Sequence, residues 1–236
     1  MTVEKKLVAL LPMKANSERV PRKNFKEFAG KPLYRWILDS LLAAPEVGQV
    51  VINTDAVDIL EAGGLWDVYS PDRVILRQRK GELCGDFISM NLVLADDVQA
   101  VPADAYLMTH TTNPLLSTAT IRTAINRFND ATEKGTSDSL FAVNKIQTRF
   151  YRADVSPVNH DPDNLVRTQD LEPWYEENSN LYLFTRNSFA KTQSRIGKHP
   201  IMIETAKWES VDIDEPDDWL VAEAMAVAQQ KGEGKR

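Results

Sequence analysis

A chain of 236 residues, 43% hydrophobic and 26% charged, has the size and composition of an ordinary globular protein, and we expect a single domain over residues 1–236. Its formal net charge of −6 disfavours general nucleic-acid binding, so any polyanion site must be a local basic patch. The six-residue apolar run near the N-terminus is too short for a signal peptide or a membrane helix, and the single cysteine, Cys84, cannot form a disulfide within the chain, which together predict a cytoplasmic protein with no membrane partner.

The predicted elements alternate between strands and helices. The continuous apolar run 7–12 is typical of a strand buried on both faces. A basic loop follows, and apolar spacing after Pro32 predicts a helix that begins there. Ser117 is the predicted cap of a helix that ends at Phe128, and a helix at 86–94 would bury Phe87 with Met90 and Leu94. Further strands are predicted at 50–53, 74–76, 105–108, 140–143, 181–184 and 208–214, and a last helix at 216–229.

This alternation predicts an α/β fold with a mostly parallel sheet and helices on both faces. Ligands of such folds bind beyond the carboxyl ends of the strands. The segments in which we expect the chemistry are therefore 13–31, 53–55, 77–86 and 110–114.

Residues 145–180 interrupt the alternation. They contain three prolines, many polar residues and the aromatic residues Phe150, Tyr151, Trp174 and Tyr175. Because a long loop without structure is improbable in a compact domain, we expect a β-ribbon or small subdomain that packs against something.

The first candidate site is the basic loop after the first strand. A loop between a strand and a helix offers backbone N–H groups, and added cations suit it to a triphosphate. A solvated surface loop is the alternative, but the position after the first strand favours phosphate binding. The loop contains neither GxxxxGK[ST] nor GxGxxG. Its six cations within 18 residues are Lys14, Arg19, Arg22, Lys23, Lys26 and Lys31.

The second candidate site is the pair Asp212 and Asp214. In a strand, residues two apart share a face, so we expect the two carboxylates to lie together. Such oxygen ligands suit Mg²⁺. The alternative is that Asp214 or Glu215 caps a helix beginning at Pro216, which leaves Asp212 unexplained.

Two further strand ends complete the candidates. Arg77 ends a predicted strand, where it can meet a phosphate or a carboxylate. His110 begins a segment whose imidazole, hydroxyl and amide groups can read a base or a sugar, although its Asn113-Pro114 pair also favours a turn. A lone histidine is more often packed or exposed than catalytic, so a general-base role for His110 is disfavoured.

These motifs, in this order, resemble the acylneuraminate cytidylyltransferases, the CMP-sialic acid synthetase family. The family opens with Pro-x-Lys-Asn and Gly-Lys-Pro-Leu, as at 21–24 and 30–33, and closes with Asp-Ile-Asp-x-Pro-x-Asp, as at 212–218. Its intermediate motifs, Ser-Thr-Asp, Arg-Pro…Leu-Ala-x-Asp, Gln-Pro-Thr-Ser-Pro-Leu and Gln-Asp-Leu-x-Pro-x-Tyr-x-x-Asn-Gly, resemble 53–55, 77–86, 110–115 and 169–179. The similarity spans nearly the whole chain in register.

The chain also departs from the family pattern. The family's Ala-Arg-Gly-Gly-Ser-Lys is here the stretch 13–18, which retains a cation as Lys14 but loses the paired glycines. Its second lysine is Glu18, with Arg19 adjacent. The glutamine associated with cytosine is His110, and the glycine after the motif asparagine is Ser179. These changes predict that the loop contacts the nucleotide differently from the rest of the family, and they can alter the rate of turnover.

The resemblance implies a three-layer Rossmann-like nucleotidyltransferase that transfers CMP from CTP to an acidic 2-keto sugar and releases pyrophosphate. It implies Mg²⁺ on Asp212 and Asp214, with Lys23 and this pair as catalytic residues. It also implies a homodimer in which residues 145–180 form the contact and close the partner's sugar pocket. The implied nucleotide-binding residues are Lys14, Ser17, Arg19, Lys23, Asn24, Arg77 and His110, and the implied sugar-binding residues are Arg167, Gln169 and Tyr182.

Sialic acid or a related nonulosonic acid is the implied acceptor. A nucleotidyltransferase for another sugar, such as an octulosonic acid, shares this fold, as does a binding protein that has lost turnover through its altered loop. Pyrophosphate release with CTP and a panel of acidic sugars separates the three.

Overall fold

The computed structural model describes residues 6–233, and its strands and helices alternate along the chain. The strands are β1 (Leu7–Met13), β2 (Glu27–Phe28), β3 (Lys31–Pro32), β4 (Gln49–Thr54), β5 (Val74–Gln78), β6 (Ala105–Thr109), β7 (Ser139–Ile146), β8 (Trp174–Thr185) and β9 (Pro200–Glu204). The helices are α1 (Leu33–Leu42), α2 (Val57–Ala62), α3 (Leu65–Val68), α4 (Met90–Ala100), α5 (Thr118–Glu133), α6 (Arg186–Thr192) and α7 (Pro216–Glu233). The ends of the predicted domain, 1–5 and 234–236, lie outside the described residues.

Seven of the strands form one sheet in the order β5-β4-β1-β6-β8-β7-β9, and β2 pairs with β3 in a separate short hairpin. Strand β8 is antiparallel to both of its neighbours, whereas the other adjacent pairs are parallel. The predicted mostly parallel sheet is therefore confirmed. The carboxyl ends of β5, β4, β1 and β6 lie at the same edge of the sheet.

The sheet is the middle of three layers. Along β1, Ala9 and Leu11 pack into the core beside α1 and α5. The alternate residues Val8 and Leu10 pack into the second core beside α4 and α6. Both faces of β1 are buried, as its continuous apolar run predicts. Within the described range, no helix is long and apolar enough to cross a membrane.

A third, smaller core fixes α7 against the loop after β1. Phe28 and Trp219 meet edge to face with ring centroids 5.2 Å apart. Ile213 is fully buried in the same cluster. This packing holds the segment that precedes α7 beside the basic loop.

The prediction of a strand at 208–214 is wrong. Residues 207–210 form a turn and 211–214 are irregular. The segment is held instead by Glu209, whose buried carboxylate accepts hydrogen bonds from the Ser117 backbone and the Thr120 hydroxyl at 3.2 and 2.7 Å. The edge of the sheet is occupied by β9, which the sequence pattern did not predict because its apolar run is only three residues long.

The helix predicted at 86–94 begins four residues later. Gly85 has a positive φ of 121°, and Ser89 is still outside the helical region, so α4 starts at Met90. As a result Phe87 is fully exposed and not part of the buried face, while Leu94 is buried as expected. The Ser117 cap is confirmed, since its hydroxyl accepts from the Thr120 N–H at 3.1 Å.

The segment 145–180 is narrower than predicted. Strands β7 and β8 pair as far as Ile146 and Trp174, so the irregular part covers 147–173. Phe150 stacks on Trp174 with centroids 5.2 Å apart, and Tyr151 meets the ring of His160. The aromatic residues thus pack on one another, yet Tyr151, Trp174 and Tyr175 remain exposed. We call residues 147–173 the excursion.

Candidate active site

A cleft of about 350 Å³ opens at the carboxyl ends of β1 and β6. Its walls come from the loop after β1, the connection from β5 to α4 and the residues after β6. The lining residues are Pro12, Met13, Lys14, Asn16, Ser17, Glu18, Arg19, Lys23, Asn24, Arg79, Asp86, Met90, His110, Thr111 and Thr112. Six of the seven predicted nucleotide-binding residues lie here, Arg77 being the exception.

Asn24 fixes the basic loop across the mouth of the cleft. Its side-chain amide donates to the Lys14 carbonyl at 2.7 Å, and its oxygen accepts from the Thr111 hydroxyl at 2.6 Å. Asp55 holds the other side of the loop by accepting from the Ala15 N–H at 2.7 Å. The loop is therefore tied to the ends of β4 and β6 by side chains that replace the backbone bonds a regular element would supply.

Lys23 is the most buried cation of the loop. Its Nζ donates to the Ile213 carbonyl at 2.5 Å and lies 3.6 Å from Asp214. Burial lowers the pKa of Lys23, while Asp214 and Asp212 act in the opposite direction. The amine thus joins the basic loop to the acidic pair.

The other loop cations of the cleft are held by exposed ion pairs. Arg19 contacts Asp214 at 3.1 Å and Glu215 at 2.9 Å. Lys14 contacts Asp86 at 2.7 Å. Because exposed pairs of this kind contribute only about 0–1 kcal/mol, an entering polyphosphate can replace these carboxylates at little cost.

Arg79 is the cation of the cleft that the sequence analysis missed. It is only 4% exposed, and it donates to the side chain and carbonyl of Asn53 and to the Met13 carbonyl at 2.8–3.1 Å. In the part of the chain that the structure describes, no carboxylate lies within ion-pair distance of it. Burial lowers the pKa of Arg79, but a guanidinium stays charged at pH 7. A buried charge of this kind suits an anionic ligand.

Arg77 does not line the cleft. It forms ion pairs with Asp97 and, at 2.8 Å, with Asp96, both on α4. Burial raises the pKa of Asp97 to about 6, although Asn53 and Arg77 lower it, and one oxygen of Asp97 has no hydrogen-bond partner. Arg77 was predicted to bind the nucleotide because the sequence pattern placed it at the end of a strand. The strand runs to Gln78, which leaves Arg79 at its carboxyl end.

His110 directly follows β6 and is half-buried. Burial lowers its pKa to about 4, helped by the charges of Arg195 and Lys23 and opposed by Asp214. The imidazole is therefore neutral at pH 7 and offers one donor and one acceptor, as an amide does.

Asp212 and Asp214 lie beside the same cleft without the strand that was predicted to align them. Burial raises the pKa of Asp212, with a smaller contribution from Asp214 and an opposing one from the Thr112 hydroxyl. The Oδ1 atom of Asp212 is buried and has no hydrogen-bond partner. The capping bonds at the start of α7 are made by Asp218, which accepts from the Asp214 and Glu215 N–H groups at 3.0 and 2.7 Å. The carboxylate of Asp214 remains directed to the basic loop.

The donor set at this end of the cleft fits Mg²⁺ only in part. Residues 6–233 hold no group of three or more His, Cys, Asp or Glu side chains arranged for a metal ion. The unpartnered oxygen of Asp212 and the neighbouring Asp214 provide two oxygen ligands. Mg²⁺ commonly completes its coordination with water and with the phosphate oxygens of a ligand, so the remaining positions would have to come from those sources.

The three predicted sugar-binding residues do not line this cleft. Arg167 and Gln169 are exposed on the excursion, where Arg167 pairs with Asp170 at 2.7 Å. Tyr182 is buried in β8 and its hydroxyl hydrogen-bonds to Glu177 and, at 3.0 Å, to Arg195. Burial and Glu177 raise the pKa of Tyr182 to about 12.

A mostly parallel sheet between two layers of helices, with a basic loop after its first strand and a polar cleft at the strand ends, is the architecture of an α/β fold that binds phosphate-bearing ligands. The cytidylyltransferase family model matches residues 8–230. The chain belongs to the cytidylyltransferase family, which confirms the resemblance seen in its motifs.

Characterised relatives match over most of the chain. The N-acylneuraminate cytidylyltransferase of Oncorhynchus mykiss is 26% identical over 224 residues, which cover 92% of this chain and 49% of that protein. The CMP-N,N'-diacetyllegionaminic acid synthase of Legionella pneumophila is 26% identical, with 96% of this chain and 98% of that protein covered. This chain thus spans about half of the first relative and nearly all of the second.

Among solved structures, a CMP:2-keto-3-deoxy-manno-octonic acid synthetase complexed with CTP superposes with a TM-score of 0.66. The alignment covers 96% of this chain and 99% of that one at 16% identity, a level at which the likeness shows the fold. The predicted Rossmann-like nucleotidyltransferase fold is confirmed.

Proposed function

We propose that this chain transfers CMP from CTP to an acidic 2-keto sugar of the nonulosonic class and releases pyrophosphate. The observation that carries the proposal is the cleft, which brings the buried Arg79 and the amine of Lys23 together with a neutral His110. Membership of the cytidylyltransferase family and the activities of the two relatives support the cytidine nucleotide and the acidic sugar.

In the proposed reaction, the anomeric hydroxyl oxygen of the sugar attacks the α-phosphorus of CTP. The bond from that phosphorus to the oxygen bridging to the β-phosphate breaks, pyrophosphate leaves, and the hydroxyl proton passes to solvent. Arg79, Lys23 and Arg19 neutralise phosphate charge and hold the α-phosphorus in line with the attacking oxygen. Positioning and charge neutralisation of this kind are the main sources of rate in phosphoryl transfer.

Asp212 and Asp214 are the residues we propose to hold Mg²⁺. When bound, the ion would supply positive charge to the phosphate oxygens. Lys23 contributes by holding the carbonyl between the two aspartates, which fixes their side chains toward the cleft. Asp214 would give up its contact with Arg19 in order to hold the ion, which would leave Arg19 available to the phosphates.

Neutral His110 and the amide of Asn24 are the groups proposed to contact the nucleoside. A neutral imidazole can accept a hydrogen bond from the amino group of cytosine or donate one to its carbonyl group, in place of the family's glutamine. Ser17 and Lys14, which line the same cleft, are proposed to contact the phosphates.

The proposal includes a homodimer. The excursion exposes Tyr151, Leu165 and Val166, and Trp174 and Tyr175 are exposed at the start of β8, directly after it. An apolar surface of this kind is typical of an interface. A two-fold contact buries it and carries Arg167 and Gln169 toward the partner's sugar pocket. Because the reaction draws on the cytoplasmic CTP pool, we also propose a cytoplasmic location.

The test is a pyrophosphate-release assay with purified protein, Mg²⁺ and each of CTP, UTP, ATP and GTP. Acceptors are N-acetylneuraminic, N,N'-diacetyllegionaminic and pseudaminic acids, a 3-deoxy-octulosonic acid, and a neutral hexose as control. We expect release with CTP and a nonulosonic acid only. Release with the octulosonic acid alone reassigns the acceptor. Tight CTP binding without release in any combination makes the chain a binding protein and overturns the proposal.

A further inference from the structure

Arg195 lies in the connection from α6 to β9 and is fixed from several sides. Its guanidinium carbon sits 3.9 Å from the centroid of the Tyr182 ring, and one Nη donates to the Tyr182 hydroxyl at 3.0 Å. The backbone N–H of Arg195 donates to the Asn91 side chain at 3.3 Å, and Nη1 lies 4.0 Å from the sulfur of Met108. The side chain is 21% exposed, so the guanidinium is held on an aromatic platform but remains accessible.

The charge of Arg195 is poorly compensated. Among residues 6–233, Glu177 is the only carboxylate within ion-pair distance, at 3.7 Å. This separation is too long for a hydrogen bond, and Glu177 already accepts from the Tyr182 hydroxyl. The guanidinium therefore retains N–H donors in the planar fork that matches a carboxylate.

Arg195 lies close to the cleft. Two of its contacts, Asn91 and Met108, lie within two residues of Met90 and His110, both of which line the cleft. Arg195 is not itself a lining residue. It stands close to His110, whose pKa its positive charge helps to lower.

The chemistry of the acceptor requires a cation there. In a 2-keto sugar acid the carboxylate is bonded to the anomeric carbon, which also carries the attacking hydroxyl. The carboxylate must therefore approach the α-phosphate, and the two anions repel unless a cation lies between them or beside them. The cations Lys14, Arg19, Lys23 and Arg79 are grouped around the space assigned to the triphosphate.

We propose that Arg195 binds the carboxylate of the acidic sugar within its own subunit, with the Tyr182 ring as the platform that orients its fork. The inference rests on the proposed function. It makes Arg195 a specificity residue: it distinguishes a sugar acid from a neutral sugar of the same shape. Arg167 on the excursion is then free for contacts across a dimer.

The experiment compares wild type, Arg195→Ala, Arg195→Lys and the control Arg186→Ala, an exposed arginine at the start of α6. Steady-state pyrophosphate release is measured with the acid that wild type uses and with its methyl ester. Since a charge-assisted carboxylate contact is worth about 1.5–3 kcal/mol, Arg195→Ala should raise the KM for the acid about 10- to 100-fold. The KM for the ester and for CTP should stay within about 2-fold of wild type, and Arg195→Lys should recover part of the loss.

The outcomes are separable. An unchanged preference for acid over ester in Arg195→Ala, with or without a lower Tm, overturns the inference and leaves the proposed function intact. A parallel rise in the KM for CTP overturns it as well, because a merely structural role produces that result. Should Arg195→Ala not fold, the acid-to-ester ratio of Arg195→Lys decides. If the wild-type protein releases no pyrophosphate with any sugar acid, both the proposed function and this inference are overturned.

Discussion

The Nζ atom of Lys23 donates a 2.5 Å hydrogen bond to the carbonyl of Ile213, the residue between the two acidic side chains of the closing motif. Two segments that are 190 residues apart in the chain thus meet through one buried amine. This bond makes the basic loop and the acidic pair a single unit, and the first two predictions test its two halves.

Lys23→Ala should weaken CTP binding far more than Lys26→Ala. Lys23 lines the cleft. The Lys26 amine lies outside the cleft, 4.3 Å from the centroid of the Trp219 ring. Loss of a charge-assisted phosphate contact should cost about 1.5–3 kcal/mol, measured as Kd by calorimetry. Thermal melts of both variants report any loss of the Ile213 bond. Equal and small changes in affinity for both variants would indicate that the basic loop is a solvated surface loop and does not bind phosphate.

Asp212→Asn and Asp214→Asn should each abolish Mg²⁺-dependent turnover while the fold is retained. Each removes one of two charged oxygen ligands, and the amide that replaces it binds Mg²⁺ poorly. Asp217→Asn, on the exposed first turn of α7, is the matched control. Rates are measured across a Mg²⁺ titration. Near wild-type rates for both variants at low Mg²⁺ contradict the metal assignment.

Although Arg79 and Arg77 are two residues apart, their substitution should affect different properties, CTP affinity for Arg79 and stability for Arg77. Arg79→Ala should weaken CTP binding about 10- to 100-fold, because its guanidinium is a buried cation of the cleft. Arg77→Ala should leave affinity unchanged but lower the free energy of unfolding by about 3 kcal/mol, since the fully buried Asp97 loses its ion pair. Calorimetry and urea unfolding measure the two. A loss of affinity confined to the Arg77 variant would restore the original prediction.

His110→Gln should make the protein more resistant to mild acid. The folded-state pKa of His110 is about 4, below its unfolded value of about 6.5, so the unfolded chain binds more protons between these pH values. Stability is therefore full above pH 6.5 and is lost as the pH falls toward 4. Urea unfolding at pH 7.5 and 5 should show a wild-type loss from this group of about 1–2 kcal/mol that is absent in the variant. Identical losses in the two proteins contradict the neutral imidazole.

The protein should sediment as a dimer at micromolar concentration. Trp174→Ser and Tyr175→Ser, which remove exposed rings at the base of the excursion, should shift it to monomer in analytical ultracentrifugation. Monomers should still bind CTP, because the cleft residues belong to one chain. Trp66→Ser, an exposed tryptophan on α3, is the control. A fully active wild-type monomer overturns the prediction.

The sequence predicts most of the sheet because its central strands are buried on both faces and read as unbroken apolar runs. It fails at 208–214, where alternating residues imitate a strand. Ile213 is buried against Phe28 and Trp219 and does not pair with a neighbouring strand. No sequence pattern within the segment distinguishes a buried irregular segment from a strand. Strands β7 and β8 extend further than predicted because neighbouring antiparallel strands pair through their backbones even where side chains are polar.

The site follows the same logic. The position of Lys23, Asn24 and His110 in the cleft was predictable because each follows a strand that ends at the carboxyl edge of the sheet, where ligands of such folds bind. Arg79 was not, since a shift of two residues in the end of β5 decides which arginine reaches the cleft. Arg195 was beyond prediction, because it approaches Tyr182 and Met108 only through the packing of α6 on the sheet.

Asn53 links helix α4 to the cleft: its amide donates to Asp97 at 2.7 Å and its oxygen accepts from Arg79 at 2.8 Å. The guanidinium of Arg79 is consequently immobilised before any ligand arrives. The Arg79 side chain loses its rotamer entropy when the protein folds and not when a ligand binds. The guanidinium is therefore preorganised for an anionic ligand. Under the proposed function, Asp97, a carboxylate of α4 that does not line the cleft, helps to hold the guanidinium that the nucleotide would contact.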